Sequence, residues 1–241
     1  MAQGGNLGQR ITDLIGAIYS TDVDYEGDLI NAAINEIADM LPIEVLIKYS
    51  KTPGVLTSNS EWLVEDRKIL KVTRADFDTE YKYNSTISTP PESIERECLG
   101  VDRRGFAVAG DSGSIYKATA HSPIYHHDTE NAGAATIKIL PEPTSDEKGR
   151  IWYFSYIANG TDSTSITQAT VNTTLYLPSN LIHAIALKSS VNILKAYISN
   201  QVQNEEDIEL MQMITSQMQL LEKDFLSEMQ RYTGQKKPEG E

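Results

Sequence analysis

Apolar residues recur every three or four positions at both ends of this chain and every second position through its middle, so one kind of regular structure cannot hold all of it. Ile11, Leu14, Ile15 and Ile18 keep the i, i+3, i+4, i+7 spacing that lays one apolar stripe along a helix. After the polar turn Ser20-Thr21-Asp22-Val23-Asp24, the stripe repeats at Ile30, Ala33, Ile34, Ile37 and Leu41. Asp22, Asp24, Glu26 and Asp28 crowd its start, where the helix dipole favours acids. Pro42 breaks that helix, Ile43 to Tyr49 adds a short turn, and Thr52-Pro53-Gly54 ends the region.

The middle of the chain has the period of strands. Lys68 to Thr73, Glu80 to Asn84, Gly105 to Ala109, Ala135 to Leu140 and Ile151 to Ile157 are β-rich or alternating runs separated by turn formers. Their spacing predicts a small antiparallel sandwich or barrel. Asn159 to Thr174 is rich in Ser and Thr and reads as a long mobile loop.

Helical spacing then returns. Pro178-Ser179 opens a helix carrying Ala184, Leu187, Val191, Leu194 and Ile198. Asn204, with Asp207 three residues on, caps a second helix whose seam is Met211, Ile214, Met218, Leu221 and Phe225. From Gln201 to Arg231 seven acids face two bases, a net of −5, so the outer face of that helix is acidic. A narrow Met/Leu seam suits a core or a partner equally; because the helix starts anew and ends in a charged tail, these five residues are read as partner-binding. The expected fold is α+β: a bundle of N- and C-terminal helices with a central antiparallel β-rich insert. The boundaries read as 1–52 for the first helices, 53–178 for the insert, 179–234 for the last helices, and 235–241 for a disordered tail.

Composition narrows the function. Apolar residues make up 40% of the 241, below the usual ~45–50%, so the chain is expected to be elongated or to complete its burial against neighbours. Its net charge is −13, which repels phosphate and anionic lipid unless bases cluster. The densest basic group, Arg67, Lys68, Lys71 and Arg74, lies on a strand and reads as a solvated edge. Cys98 is the single cysteine, no signal-peptide layout precedes the first helix, and no run approaches ~18 consecutive apolar residues. A soluble protein of a reducing cytoplasm is expected, with no membrane partner. The three glycosylation sequons, at Asn84, Asn159 and Asn172, then read as chance matches.

Catalysis finds little to rest on. Gly110-Asp111-Ser112-Gly113 copies the nucleophile signature of chymotrypsin-like proteases, but Ser112 precedes His121, and that fold needs the opposite order. Glycine, aspartate and serine are also the commonest turn formers. His126 and His127 would point to opposite faces of a strand, and with His121, Asp128 and the distant His183 they complete no metal shell. No phosphate loop or dinucleotide fingerprint is present. The expectation is no enzyme, no cofactor and no metal; a hydrolase using Ser112 or the histidines is the remote alternative.

The order helix pair, β-rich insert, helix pair resembles the head-to-tail adaptor (connector or neck) proteins of tailed bacteriophages. Asp28-Leu29-Ile30, Ile34-Asn35-Glu36-Ile37 and Leu41-Pro42 resemble the family's second helix and its Leu-Pro end. Ile69 to Arg74 resembles its first insert strand. Ser114-Ile115-Tyr116, Ser122-Pro123-Ile124-Tyr125 and Ile137 to Pro143 resemble a later turn-and-strand segment, and Pro178 with Leu181, Ile182, Ala184 and Ile185 the return into the bundle. The resemblance implies a virion protein assembled in the host cytoplasm, in a ring commonly of twelve copies. Its partners would be the portal protein and a tail or further neck protein, with DNA passing through unbound. A tail-side protein, such as a tail terminator or tube-associated subunit, is the alternative; its sheet-dominated build fits the helical flanks less well.

Overall fold

The computed structural model describes residues 5–16, 26–50, 53–59, 62–63, 66–76, 94–128, 136–201 and 208–233. The fold is mixed α+β and falls into two compact units, one from residues 1–49 and 156–241, the other from residues 50–155.

In the first unit, helix α1 (Leu7–Ile15) starts at Asn6, whose side chain accepts from the Gln9 amide at 2.9 Å. Leu7, Ile11 and Ile15 form its buried stripe. Gly16 stops it at φ +83°, a conformation that only glycine adopts without steric cost, while donating its N–H to Thr12 O. Ile18 and the turn after it lie outside the described residues. Helix α2 (Glu26–Met40) buries Ile30, Ala33, Ile34, Ile37 and Ala38. The Pro42 carbonyl accepts from the Val45 and Leu46 amides, so the residue that ends α2 also opens helix α3 (Ile43–Tyr49).

Residues 156–181 are no mobile loop, contrary to the expectation for Asn159–Thr174. Two asparagines on α2 hold them. Asn35 pairs with the Ile157 backbone in both directions, at 3.0 and 2.9 Å, as a neighbouring strand would. Asn31 is fully buried, donates to Ala158 O and Thr161 O, and accepts from Ser163 Oγ at 2.6 Å. The segment also accepts the Leu7 and Gly8 amides of α1 at Ile166 O and Thr164 O. Its backbone polar groups are thus satisfied without a regular element of its own. Replacing Asn31 by leucine is expected to destabilise the protein by about 1–3 kcal/mol, because two carbonyls and a hydroxyl lose their partner. Urea denaturation with an unchanged m-value would register it.

Helix α5 (Ile182–Gln201) is the centre of the unit: α1, α2 and α6 (Ile208–Thr233) all pack on it. Ala184, Ile185, Ala186, Leu187, Val191, Ile193, Leu194 and Tyr197 are buried, so the helix is apolar nearly all round. Residues 179–200 reach the length and mean hydropathy of a membrane span, yet two-thirds of that window is already buried inside the unit.

The second unit holds two four-stranded sheets. The first has the order β1 (Gly54–Leu56), β8 (Gly149–Ser155), β3 (Arg67–Asp76), β4 (Ile94–Glu97) and is antiparallel throughout. Leu70 is an extra residue in β3 opposite β8, where the register shifts between Ile69 and Lys71. The second has the order β2 (Trp62–Leu63), β7 (Thr136–Leu140), β6 (Ile124–Asp128), β5 (Leu99–Val101). Leu56, Val72 and Ile151 of the first sheet meet Ile137 and Ile139 of the second, with Cys98 among them. This common core makes a sandwich.

One pair departs from the antiparallel expectation. β5 runs parallel to β6, and parallel neighbours need a crossover rather than a hairpin. Residues 103–110 supply it as helix α4 (Arg103–Gly110), not as the strand expected at Gly105–Ala109. Asp102 caps α4, its carboxylate accepting from the Gly105 amide at 2.6 Å, and Ala109 turns inward against Ala118 and Ile124. The run Glu80–Asn84 lies outside the described residues.

Candidate interaction surfaces

Of the five seam residues on α6, Ile214, Leu221 and Phe225 are buried and Met211 and Met218 half-buried, and Met229 extends the buried row by one turn. The row is enclosed by the unit itself. α6 packs along α5, Gln217 donates to the Leu14 carbonyl at 2.8 Å, and Lys195 pairs with Glu222. Docking a partner through this seam would require α6 to leave α5. Exposing Ile214, Leu221, Phe225 and Met229 at ~1.5–3 kcal/mol each comes to roughly 6–12 kcal/mol, the size of a whole domain's stability. In this arrangement the seam is core, and α6 offers solvent a different set: Ile208, Met213, Leu220 and Leu226. Asn204 and Asp207, the expected cap, lie outside the described residues.

The residues weighed for catalysis are scattered. Ser112 sits in an exposed turn where Asp111 Oδ1 accepts from the Gly113 amide at 2.9 Å. His121 lies in the exposed turn joined by the Thr119–Ser122 bridge. His126 is half-buried, its Nδ1 3.2 Å from Val101 O and its ring tilted against Phe106, while His127 faces solvent from the same strand. Asp128 pairs with Lys138 at 3.4 Å, and His183 is exposed on α5 in the other unit. Among the described residues, no three His, Cys, Asp or Glu side chains are grouped to hold a metal. Cys98 is buried and burial pushes its thiol up to about 12, leaving no reactive thiolate at neutral pH.

The helical unit has a recess of about 290 Å³ beside residues 157–175, lined largely by hydroxyls such as Thr161, Ser163 and Thr170. Asp162 stands at its mouth, its carboxylate held below the ordinary range by hydrogen bonds from the Thr164 hydroxyl and amide. Burial, and then Asp162, push the Glu26 carboxyl above its ordinary range. A raised folded-state pKa favours folding while the group is protonated and opposes it once pH rises through that value. Glu26→Gln is therefore expected to raise the melting temperature slightly at pH 7, with the gain vanishing in acid; melts at the two pH values check this.

The largest apolar feature of the β unit is an open groove of about 490 Å³ between β5 and α4. Leu99, Val101 and Ile124 form its floor, and Val108, Ala109 and Tyr116 its walls. Leu99 is 69% exposed and Tyr116 73%, and the neighbouring Ile115, at 89%, is the most exposed large apolar side chain among the described residues. The loop that carries this pair is tightly built. Ser114 N donates to Asp111 O, Tyr116 N to Ser114 Oγ, Lys117 N to Ser114 O, and Ala118 N to Ala109 O. A fixed backbone holding two large apolar side chains in water marks an interaction site rather than a solvated turn. β5 is also the end strand of its sheet, and the exposed Arg104 and Lys117 flank the groove. Comparison with protein-family models and with curated protein sequences finds no match to this chain.

Proposed function

We propose that this chain is a non-catalytic structural subunit of a tailed-phage virion, one copy in a ring that joins the capsid portal to the tail and continues the DNA tunnel. The observation that carries this reading is the common packing of α1, α2 and α6 on α5, with residues 50–155 forming a separate β unit. We read this as one bundle built from both ends of the chain with the β unit inserted, the order of elements that the adaptor resemblance implies. Two further features support it. A net charge of −13 suits a tunnel wall along which phosphates must slide without being gripped. The rigid apolar groove at β5 and α4 gives such a subunit a surface for neighbours. Portal and tail-side neck proteins would be the partners above and below, and the ring itself the partner at the sides.

Negative-stain imaging with mass measurement of the purified protein tests the reading. A closed ring of about a dozen copies, with a central hole wide enough for duplex DNA, is the expected result. A monomer at every concentration, and no density for the chain at the neck of the virion, would sink the proposal.

A further inference from the structure

The two units share the charge very unequally. Residues 1–49 and 156–241 contain 18 acids against 8 bases, a net of −10, whereas residues 50–155 contain 16 against 13, a net of −3. The groove of the β unit sits at one of its basic points, where Arg104 lines it and Arg103 and Lys117 lie beside it. Its apolar floor and walls call for an apolar side chain, and its rim calls for acids next to that side chain.

The helical unit displays such a combination. Ile208, at the first turn of α6, is 72% exposed and is the most exposed large apolar side chain among that unit's described residues. Glu209 follows it, and Glu205, Glu206 and Asp207 precede it in the sequence. The other exposed apolar residues of α6, Met213, Leu220 and Leu226, have no comparable acid run around them.

We infer that the β5–α4 groove of one copy receives the Ile208 end of α6 from a second copy, with Glu209 and the preceding acids set against Arg104 and Lys117. The inference rests on the ring reading above and specifies its lateral contact. Groove and plug are different surfaces, so the contact is head-to-tail, the type that closes into a ring or runs on as a filament rather than stopping at a two-fold dimer. An acidic chain that repels its own kind overall then associates through its local basic site, and added salt weakens the contact.

Two single-cysteine additions test this, Tyr116→Cys on a size-tagged copy and Ile208→Cys on an untagged one, mixed and mildly oxidised. The native Cys98 is buried with its thiol pushed up to about 12 and stays out of the reaction. The expected major product on a non-reducing gel is the mixed disulfide between tagged and untagged chains. In parallel, Arg104→Glu is expected to weaken self-association at least tenfold, and Glu209→Arg in the same chain to recover most of it. If mixed disulfides form no faster than like-with-like ones while the wild type still assembles into rings, the groove assignment is wrong and the ring reading survives. If the wild type is monomeric throughout, both fall.

Discussion

Replacing Arg74 by methionine is expected to cost the β unit about 3 kcal/mol or more, the largest effect of any single change to a charged residue here. Arg74 is 2% exposed in β3, and its guanidinium is completely used. It donates to Glu147 at 2.6 Å, to Pro141 O at 2.9 Å, to Ala75 O at 3.2 Å and to Glu142 O at 3.4 Å, tying the 141–147 turn to the strand. Methionine fills the volume but leaves a carboxylate and three carbonyls without their donor. Lysine keeps the charge, yet a single ammonium cannot reproduce the fork, so Arg74→Lys should recover less than half of the loss. The double variant Arg74→Met/Glu147→Leu should be less damaged than Arg74→Met alone, because it removes the stranded carboxylate too. Guanidinium denaturation of the three variants decides the matter; equal stability of wild type and Arg74→Met would show that solvent replaces these bonds without cost.

Phe225→Ala is expected to remove about 3–5 kcal/mol from the helical unit. Phe225 is 3% exposed on the α6 face turned to α5, with the Lys188 ammonium 5.7 Å from its ring centre. Truncation leaves a cavity bounded by two helices that are themselves held by their other contacts, so collapse around it is limited. The same variant separates two uses of the seam. A core residue lowers the melting temperature of the isolated chain, whereas a docking residue leaves that temperature alone and impairs only assembly. The structure leads us to expect the drop.

The helices were legible wherever a stripe ran beside a clear stop. Ile30 to Leu41 followed by Pro42 became α2, and the alternation through Thr136–Leu140 and Gly149–Ser155 became paired strands. Gly105 to Ala109 was misread because five residues of alternating size fit a strand or a helix turn alike; the deciding signal was Asp102, whose cap lies just before the run. The hold on residues 156–181 was invisible for another reason. It comes from Asn31 and Asn35, more than 120 positions away, and local propensity contains no such information. A trace existed: two asparagines four apart beside an apolar helical stripe are awkward unless something buried needs their amides.

The candidate site was less legible than the fold. The α6 seam stood out in the sequence because it is periodic, and periodicity reports burial without naming the neighbour. The groove has no periodicity, since it draws on β5, α4 and the loop at Tyr116. Its one sequence trace was Ile115-Tyr116, a large apolar pair inside a stretch of glycine, aspartate and serine.

The position of α5 has a consequence for synthesis. α1 and α2 emerge from the ribosome with apolar faces whose cover, Ile182–Gln201, is encoded some 150 residues later. At ~5–20 residues per second, those faces wait on the order of ten seconds or more before α5 can reach them. The β unit is complete by Ser155 and can close first, leaving the nascent N-terminal helices as the stretch on which a chaperone would act. Moving residues 1–49 behind residue 241 in a circular permutant would abolish that wait and is expected to raise the soluble yield in a host short of chaperones.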